Sequence, residues 1–275
     1  MHERFTLIKF SDEGTSSPFP ARLMLQMCEL RDGIILDSDM RKRFDEAYGP
    51  IIDNFMETRQ AISELKQLEE RHRDELRNGS AAKIAANGHI TITRPIEVQY
   101  RGLIKEFFLK GQMIISTIPR VGKVFGLKTS FFFADDAKYS KGAKHLEQKW
   151  PNAILAIKHL DWARSGWYSD FNSFRNRIVH ESFKFPNTTY EVDADSKVTP
   201  KFPALSDVAD NCKLFEKLCE CILELVEACV IFFFSTQLRG DQVIMQIPED
   251  QRDPANVRKY RLCMRLGDRV VPIGH

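Results

Sequence analysis

The sequence predicts a mostly α fold, a bundle of four long helices with small β embellishments. Three observations carry this. Apolar residues recur at the 3.6-residue helical period from residue 37 onward, in Phe44, Tyr48, Ile51, Phe55, Ile62, Leu65 and Leu68. A nearly all-apolar run, Cys221 to Phe234, ends in Val230-Ile231-Phe232-Phe233-Phe234 and fits a buried core helix. Alternating, strand-like segments are short and lie between the helical ones or towards the chain ends.

Along the chain, Phe5 to Phe10 is expected to be a short β-like segment followed by a polar turn, Ser11 to Pro20. Leu23 to Leu36 is apolar without a clear period and stays unassigned. The first long helix starts at Asp37, with Pro50 expected to kink or restart it. It closes on the mixed charge run Glu69-Glu70-Arg71-His72-Arg73-Asp74-Glu75, taken as a solvated face, and ends at Asn78-Gly79-Ser80. Gly88 to Thr93 alternates Ile and Thr, as an extended segment before Pro95 would. The second helix is expected from about Pro95 to Thr117, burying Val98, Leu103, Ile104, Phe107, Phe108, Met113 and Ile114. A loop then carries Arg120, Lys123 and Lys128 among glycines, a candidate contact for a nucleic-acid backbone. Val121-Gly122-Lys123 lacks the Gly-x4-Gly-Lys-Ser/Thr pattern of a phosphate loop.

The third helix is expected from Lys141 to Ser182, broken at Pro151 and near Gly166 and closed by Phe185-Pro186. Thr188 to Val192 and Lys197 to Phe202, flanking Asp193-Ala194-Asp195-Ser196, predict a hairpin. Leu205-Ser206-Asp207 opens the fourth helix, capped by Ser or Asp and running to about Gln237. Val243 to Ile247 and Tyr260 to Leu266 predict two strands. The domain reading is an N-terminal extension (1–36), a helical bundle (37–240) and a C-terminal β-like extension (241–275).

The 275 residues carry a formal net charge of +2, so no global basic field marks a nucleic-acid binder and any such contact must be a local patch. The six cysteines form no CxxC pair, which argues against zinc. As free thiols they fit a reducing compartment, giving an expected cytoplasmic location. The opening Met1-His2-Glu3-Arg4 lacks the apolar core of a signal peptide. Glu220, Glu224 and Glu227 interrupt the long apolar run, so no membrane partner is expected; one face of that helix is a candidate subunit interface.

The chemistry concentrates in Arg175-Asn176-Arg177-Ile178-Val179-His180. Arginine presents a planar fork of donors to a phosphate, and histidine exchanges protons near neutral pH. On a helix, Trp167, Phe171, Phe174 and Ile178 make one apolar stripe at i, i+4, i+7 and i+11. Arg175 lies beside it, and Asn176 and His180 stack one turn apart further round. A second pair, Arg269 and His275, sits in a stretch broken by Pro272 and Gly274 and has no such helical context.

The string "FRNRIVHE" resembles the signature of the HEPN superfamily (higher eukaryotes and prokaryotes nucleotide-binding domain): an Arg, a polar residue and a His late in the third long helix of an α bundle. The resemblance covers Arg175, Asn176 and His180 and the order of the helices, not the two ends of the chain. It implies a metal-independent endoribonuclease without a cofactor, acting as a homodimer on RNA and leaving a 2′,3′-cyclic phosphate. It implies catalytic roles for Arg175, Asn176 and His180, and a toxin or antiviral defence setting with an antitoxin or defence-system partner. Arg177, Arg120, Lys123 and Lys128 are candidate RNA contacts, and Glu181 is taken as a solvent-facing acid. The alternative is a non-catalytic RNA- or protein-binding dimerisation module of the same superfamily. A metal hydrolase ranks third, because His145, His159 and His180 share no ligand spacing and no HExxH occurs.

Overall fold

The computed structural model describes residues 14–35, 37–87, 89–178, 185–193, 197–205 and 210–273, and the backbone alone at 179–180. The expected strand Phe5 to Phe10 and the expected caps Ser206 and Asp207 lie outside the described residues. The fold is mostly α with small antiparallel sheets. After a π-helical turn, Phe19–Leu25, come α1 (Gln26–Ile34), α2 (Ser38–Arg77), α3 (Glu97–Val124), α4 (Asp136–Lys149), α5 (Ile154–Ser165), α6 (Trp167–His180) and α7 (Asn211–Ser235). Three small sheets accompany them. In the first, β1 (Ala82–Ile84) pairs with β2 (Ile90–Ile92), and in the second β3 (Thr189–Val192) pairs with β4 (Val198–Lys201). The third orders β5 (Gln242–Gln246), β6 (Tyr260–Leu266) and β7 (Arg269–Pro272) side by side.

The chain forms two compact units, with the divisions falling inside α2, α3, α5 and α7. The first unit is Met1–Ile52, Ser116–Asp161 and Leu223–His275; the second is Asp53–Ile115 and Trp162–Ile222.

The first unit is organised on the apolar end of α7. Cys229 to Phe234 are all at most 5% exposed, so this stretch has no free face to offer a second subunit, contrary to the sequence expectation. Phe234 packs on Phe44 at 5.1 Å between ring centres, and Phe233 stacks on Phe132 at 6.3 Å. One polar cluster is threaded into this core. Glu227, 1% exposed, accepts from Arg22 Nε at 3.0 Å and from Gln26 Nε2 at 2.8 Å. Gln26 Oε1 in turn accepts from the backbone nitrogens of Lys259 and Tyr260 at 2.7 and 2.6 Å, tying α1 to the first residue of β6. Glu224 accepts from Arg22 at 2.8 Å and from the Lys259 ammonium at 2.6 Å. Burial would raise the Glu224 carboxyl, but the hydrogen bonds and charges of Lys259 and Arg22 outweigh it and hold it below the ordinary value.

The second unit has its own aromatic core. Phe107 stacks on Phe215 at 4.2 Å, and Phe108 meets Phe171 at 5.2 Å. A satellite cluster of Leu76, Ala81, Ala82 and Val198, with Ile90, Ile92 and Tyr190 against it, seats the two small hairpins.

Several elements depart from the sequence expectation. α2 runs through Pro50 without a restart, and α3 continues through Pro119 to Val124, past the expected end near Thr117. Arg120 and Lys123 are therefore helical, and only Lys128 follows the helix. The end of α3 explains this. Gly126 takes φ +71°, with Gly126 N–H donating to Lys123 O and Leu127 N–H to Gly122 O, a glycine-centred cap that fixes the stop two residues beyond Val124. Val98 is 89% exposed and Met113 48%, so neither belongs to the core. The charge run of α2 is not uniformly solvated: Glu69 is buried and accepts from the Tyr100 hydroxyl at 3.1 Å, and the buried His72 shares a 3.1 Å hydrogen bond with Tyr190. The unassigned Leu23 to Leu36 is mostly helical, β1 and β7 are additional strands, and the third long helix is three shorter ones, starting earlier, at Asp136, on the Asp135 cap.

Removing one partner of a buried ion pair leaves the other charged and desolvated, whereas an exposed pair contributes little. Glu227→Ala should therefore lose about 3–5 kcal/mol of stability in urea denaturation. Lys66→Ala, which removes the exposed Lys66–Glu216 pair, should lose no more than about 1 kcal/mol.

Candidate functional site

The Arg-Asn-His motif lies at the C-terminal end of α6, the short helix that begins after the break at Gly166. Phe171 anchors it. The ring is fully buried and seats against the backbone of Gly111 on α3, where a Cβ would stand 2.8 Å from Phe171 Cζ. A helix-interior glycine costs about 1 kcal/mol relative to alanine, and the space it leaves is filled by this ring. Trp167, Phe174 and Ile178, the rest of the predicted stripe, are only half-buried. Trp167 sits edge-on to Phe171 at 6.2 Å and to the exposed Trp162 at 6.2 Å.

With Phe171 inward, Arg175 is half-buried beside the apolar stripe and Asn176, also half-buried, lies further round; Arg175 Nη1 donates to Asn176 Oδ1 at 2.8 Å. Arg177 is exposed, its guanidinium 5.9 Å from the Phe174 ring centre. His180 is the last residue of α6, one turn beyond Asn176; its side chain lies outside the described residues, as do Glu181 and Ser182. Arg120, Lys123 and Lys128, all exposed, belong to the first compact unit, and the motif helix belongs to the second.

Three further residues join the Arg175 neighbourhood. Tyr168 shares a hydrogen bond with Gln112 on α3 and lies in the field of both Arg164 and Arg175. Burial pushes its phenol above the ordinary value, against the lowering effects of Gln112 and the two arginines. Two buried polar atoms nearby, Gln112 Oε1 and Trp167 Nε1, have no hydrogen-bond partner among the described residues. The spacing Arg164, Tyr168, Arg175 is four and seven residues, a helical face readable in the sequence, but Gly166 falls inside it and breaks the pattern. Gln112 comes from a distant segment and left no local signal.

Among the described residues, no three His, Cys, Asp or Glu side chains are grouped to hold a metal ion. Cys28 is an exposed free thiol, and Cys212, Cys219, Cys221, Cys229 and Cys263 are buried free thiols. No helix of the described residues is long and apolar enough to cross a membrane. No family model, curated protein or solved structure matches the chain.

The arrangement places a cationic donor, an amide and a histidine position on the outer margin of one packed helix. Deleting a core anchor and deleting a marginal side chain should therefore differ in cost. Phe171→Ala should destabilise by about 3–5 kcal/mol, and Asn176→Ala, which removes one half-buried hydrogen bond, by about 1 kcal/mol. Urea denaturation monitored by circular dichroism measures both.

Proposed function

We propose that this protein is a metal-independent endoribonuclease of the HEPN type. The observation that carries the proposal is the Arg175–Asn176 pair, joined by its 2.8 Å hydrogen bond one helical turn before His180. In this reading His180 takes the proton of a ribose 2′-hydroxyl. The freed oxygen attacks the adjacent phosphorus, and the 5′-oxygen of the next nucleotide leaves with a proton. The upstream fragment keeps a 2′,3′-cyclic phosphate. Arg175 neutralises the charge that builds on the five-coordinate phosphorus, a fixed cation aimed at a developing anion. Asn176 holds Arg175 in place while sharing a helical face with His180. No oxidant, metal or bound cofactor enters this sequence of proton transfers.

The HEPN resemblance implies that the His180 side chains of two copies of the chain share the base and acid roles, so the reading includes a homodimer. The half-buried Trp167, Phe174 and Ile178, with the exposed Trp162 beside them, form the apolar margin on which a twofold-related α6 would pack. Arg177, and in the other compact unit Arg120, Lys123 and Lys128, are proposed as phosphate contacts. The biological setting proposed is a toxin or antiviral effector acting in the cytoplasm, restrained by an antitoxin or defence-system partner.

His180→Ala and Arg175→Ala should each reduce cleavage of single-stranded RNA by at least about a hundredfold, the loss expected for a general base or an oxyanion donor. Their melting temperatures should stay near that of the parent, because by helical spacing both positions lie off the apolar stripe of α6. Cleavage by either variant at the parental rate would remove the proposed chemistry; a stable dimer with no ribonuclease activity would favour the binding-module alternative. Light scattering at tens of micromolar, roughly the range in which a standard-sized interface holds, should give twice the monomer mass. A Trp167→Glu variant should give the monomer mass and lose cleavage.

A further inference from the structure

A second site is built into the first compact unit, on α4. A cavity of about 490 Å³ opens between α4 and the turn that follows α3. Its volume lies in the range of small-ligand pockets. Lys141, His145 and Lys149 line it at i, i+4 and i+8, one above another on a single face of α4. Lys128 joins them from the opposite rim, placed there by the Gly126 cap that ends α3. Its apolar walls include two aromatic rings, Phe131 and Trp150.

Two features distinguish this cavity from an ordinary lysine-bearing surface. No carboxylate lines it, and among the described residues no acid pairs with Lys128, Lys141 or Lys149. The acid close at hand, Asp135, caps α4 and pairs with Lys138 at 2.9 Å. Three ammonium groups with no acid partner among the described residues therefore line one concavity, and their positive potential favours an anion there. The second feature is Gly142. It stands inside α4, where glycine is costly, and a Cβ there would lie 2.2 Å from the Phe131 ring. The ring thus closely approaches the α4 backbone at Gly142, and the Lys149 ammonium lies over the Trp150 ring, 5.7 Å from its centre.

We infer that this cavity binds a nucleotide, its base stacked on Trp150 and its phosphate held by Lys128, Lys141 and Lys149. Aromatic rings accept the face of any base, and lysine ammoniums serve phosphate as point charges. The same chemistry is offered by a free mononucleotide and by one nucleotide of a single strand. The inference is independent of the ribonuclease reading, since none of these residues takes part in it except Lys128, as a proposed phosphate contact.

Isothermal calorimetry on the full-length protein distinguishes the sources. The probes are ATP, a 2′-O-methyl hexanucleotide that resists transesterification, adenosine and inorganic tripolyphosphate. ATP or the hexanucleotide should bind, and whichever binds identifies the source. Adenosine and tripolyphosphate, each offering half of the recognised chemistry, should bind at least about tenfold more weakly. Lys141→Ala and Lys149→Ala, at exposed positions that leave the fold intact, should each weaken binding about fivefold or more, the loss of one charge-assisted contact. Trp150→Ala should weaken it about tenfold, and Trp150→Phe, which keeps a stacking face, should largely restore it. His180→Ala should bind as the parent does, so a failed ribonuclease assay and a failed binding assay remain separate results. The inference is overturned if neither ATP nor the hexanucleotide binds at about 1 mM, if tripolyphosphate binds as tightly as ATP, or if the lysine variants keep parental affinity.

Discussion

The seating of Phe171 on Gly111 fixes the rotation of α6 about its own axis, and the candidate chemistry depends on that rotation. A helix advances by roughly 100° per residue. With Phe171 turned fully inward, Arg175 lies about 40° off the buried direction, Asn176 about 140° and position 180 about half a turn away. The guanidinium is therefore half-buried and held by Asn176, and the histidine position starts from the outward side. A helix rotated by one residue, about 100°, would turn Phe171 away from its seat on Gly111. The aromatic core of the second unit is thus what makes the motif a motif.

The first unit solves a different problem. Its core helix segment, Cys229 to Phe234, is apolar on all sides, and such a segment carries no information about its own rotation. The Glu227 carboxylate supplies it. Anchored to Arg22 and Gln26, Glu227 selects one azimuth for α7 and ties the N-terminal helical segment to β6 through the backbone of Lys259 and Tyr260. A buried charge of this kind adds little net stability relative to an apolar substitute, but it penalises every register in which the partners miss each other. Among the described residues of the same unit, Lys128, Lys141 and Lys149 pair with no acid, whereas the buried charges are paired.

Much of this was legible in the sequence. The period of Phe44 to Leu68, the alternation of Thr188 to Val192 and the breaks at Pro151 and Gly166 are local signals, and local geometry answered them. The motif residues were legible because the aromatic stripe and the polar margin lie on one helix. The misses involve tertiary context. Pro50 and Pro119 are tolerated inside long helices because each removes only one hydrogen bond, which packing outweighs. Glu69 and His72 look like part of a solvated charge run until Tyr100 and Tyr190 cover them from far along the chain. The approach of Gln112 to Tyr168 and the Phe131–Gly142 contact are equally non-local, which is why neither those partners of the Arg175 neighbourhood nor the α4 cavity was readable in the sequence.

In the proposed chemistry, Arg175 and His180 cleave RNA by proton transfer and charge neutralisation, using the substrate's own 2′-hydroxyl as nucleophile. The most direct measurement is the chemical nature of the ends produced from a defined RNA incubated with the protein in excess EDTA. The account predicts continued cleavage, upstream fragments ending in a 2′,3′-cyclic phosphate, downstream fragments with a 5′-hydroxyl, and no cleavage when the same strand is DNA. Cleavage that stops in EDTA and returns with magnesium or manganese, or products bearing a 5′-phosphate, would contradict it.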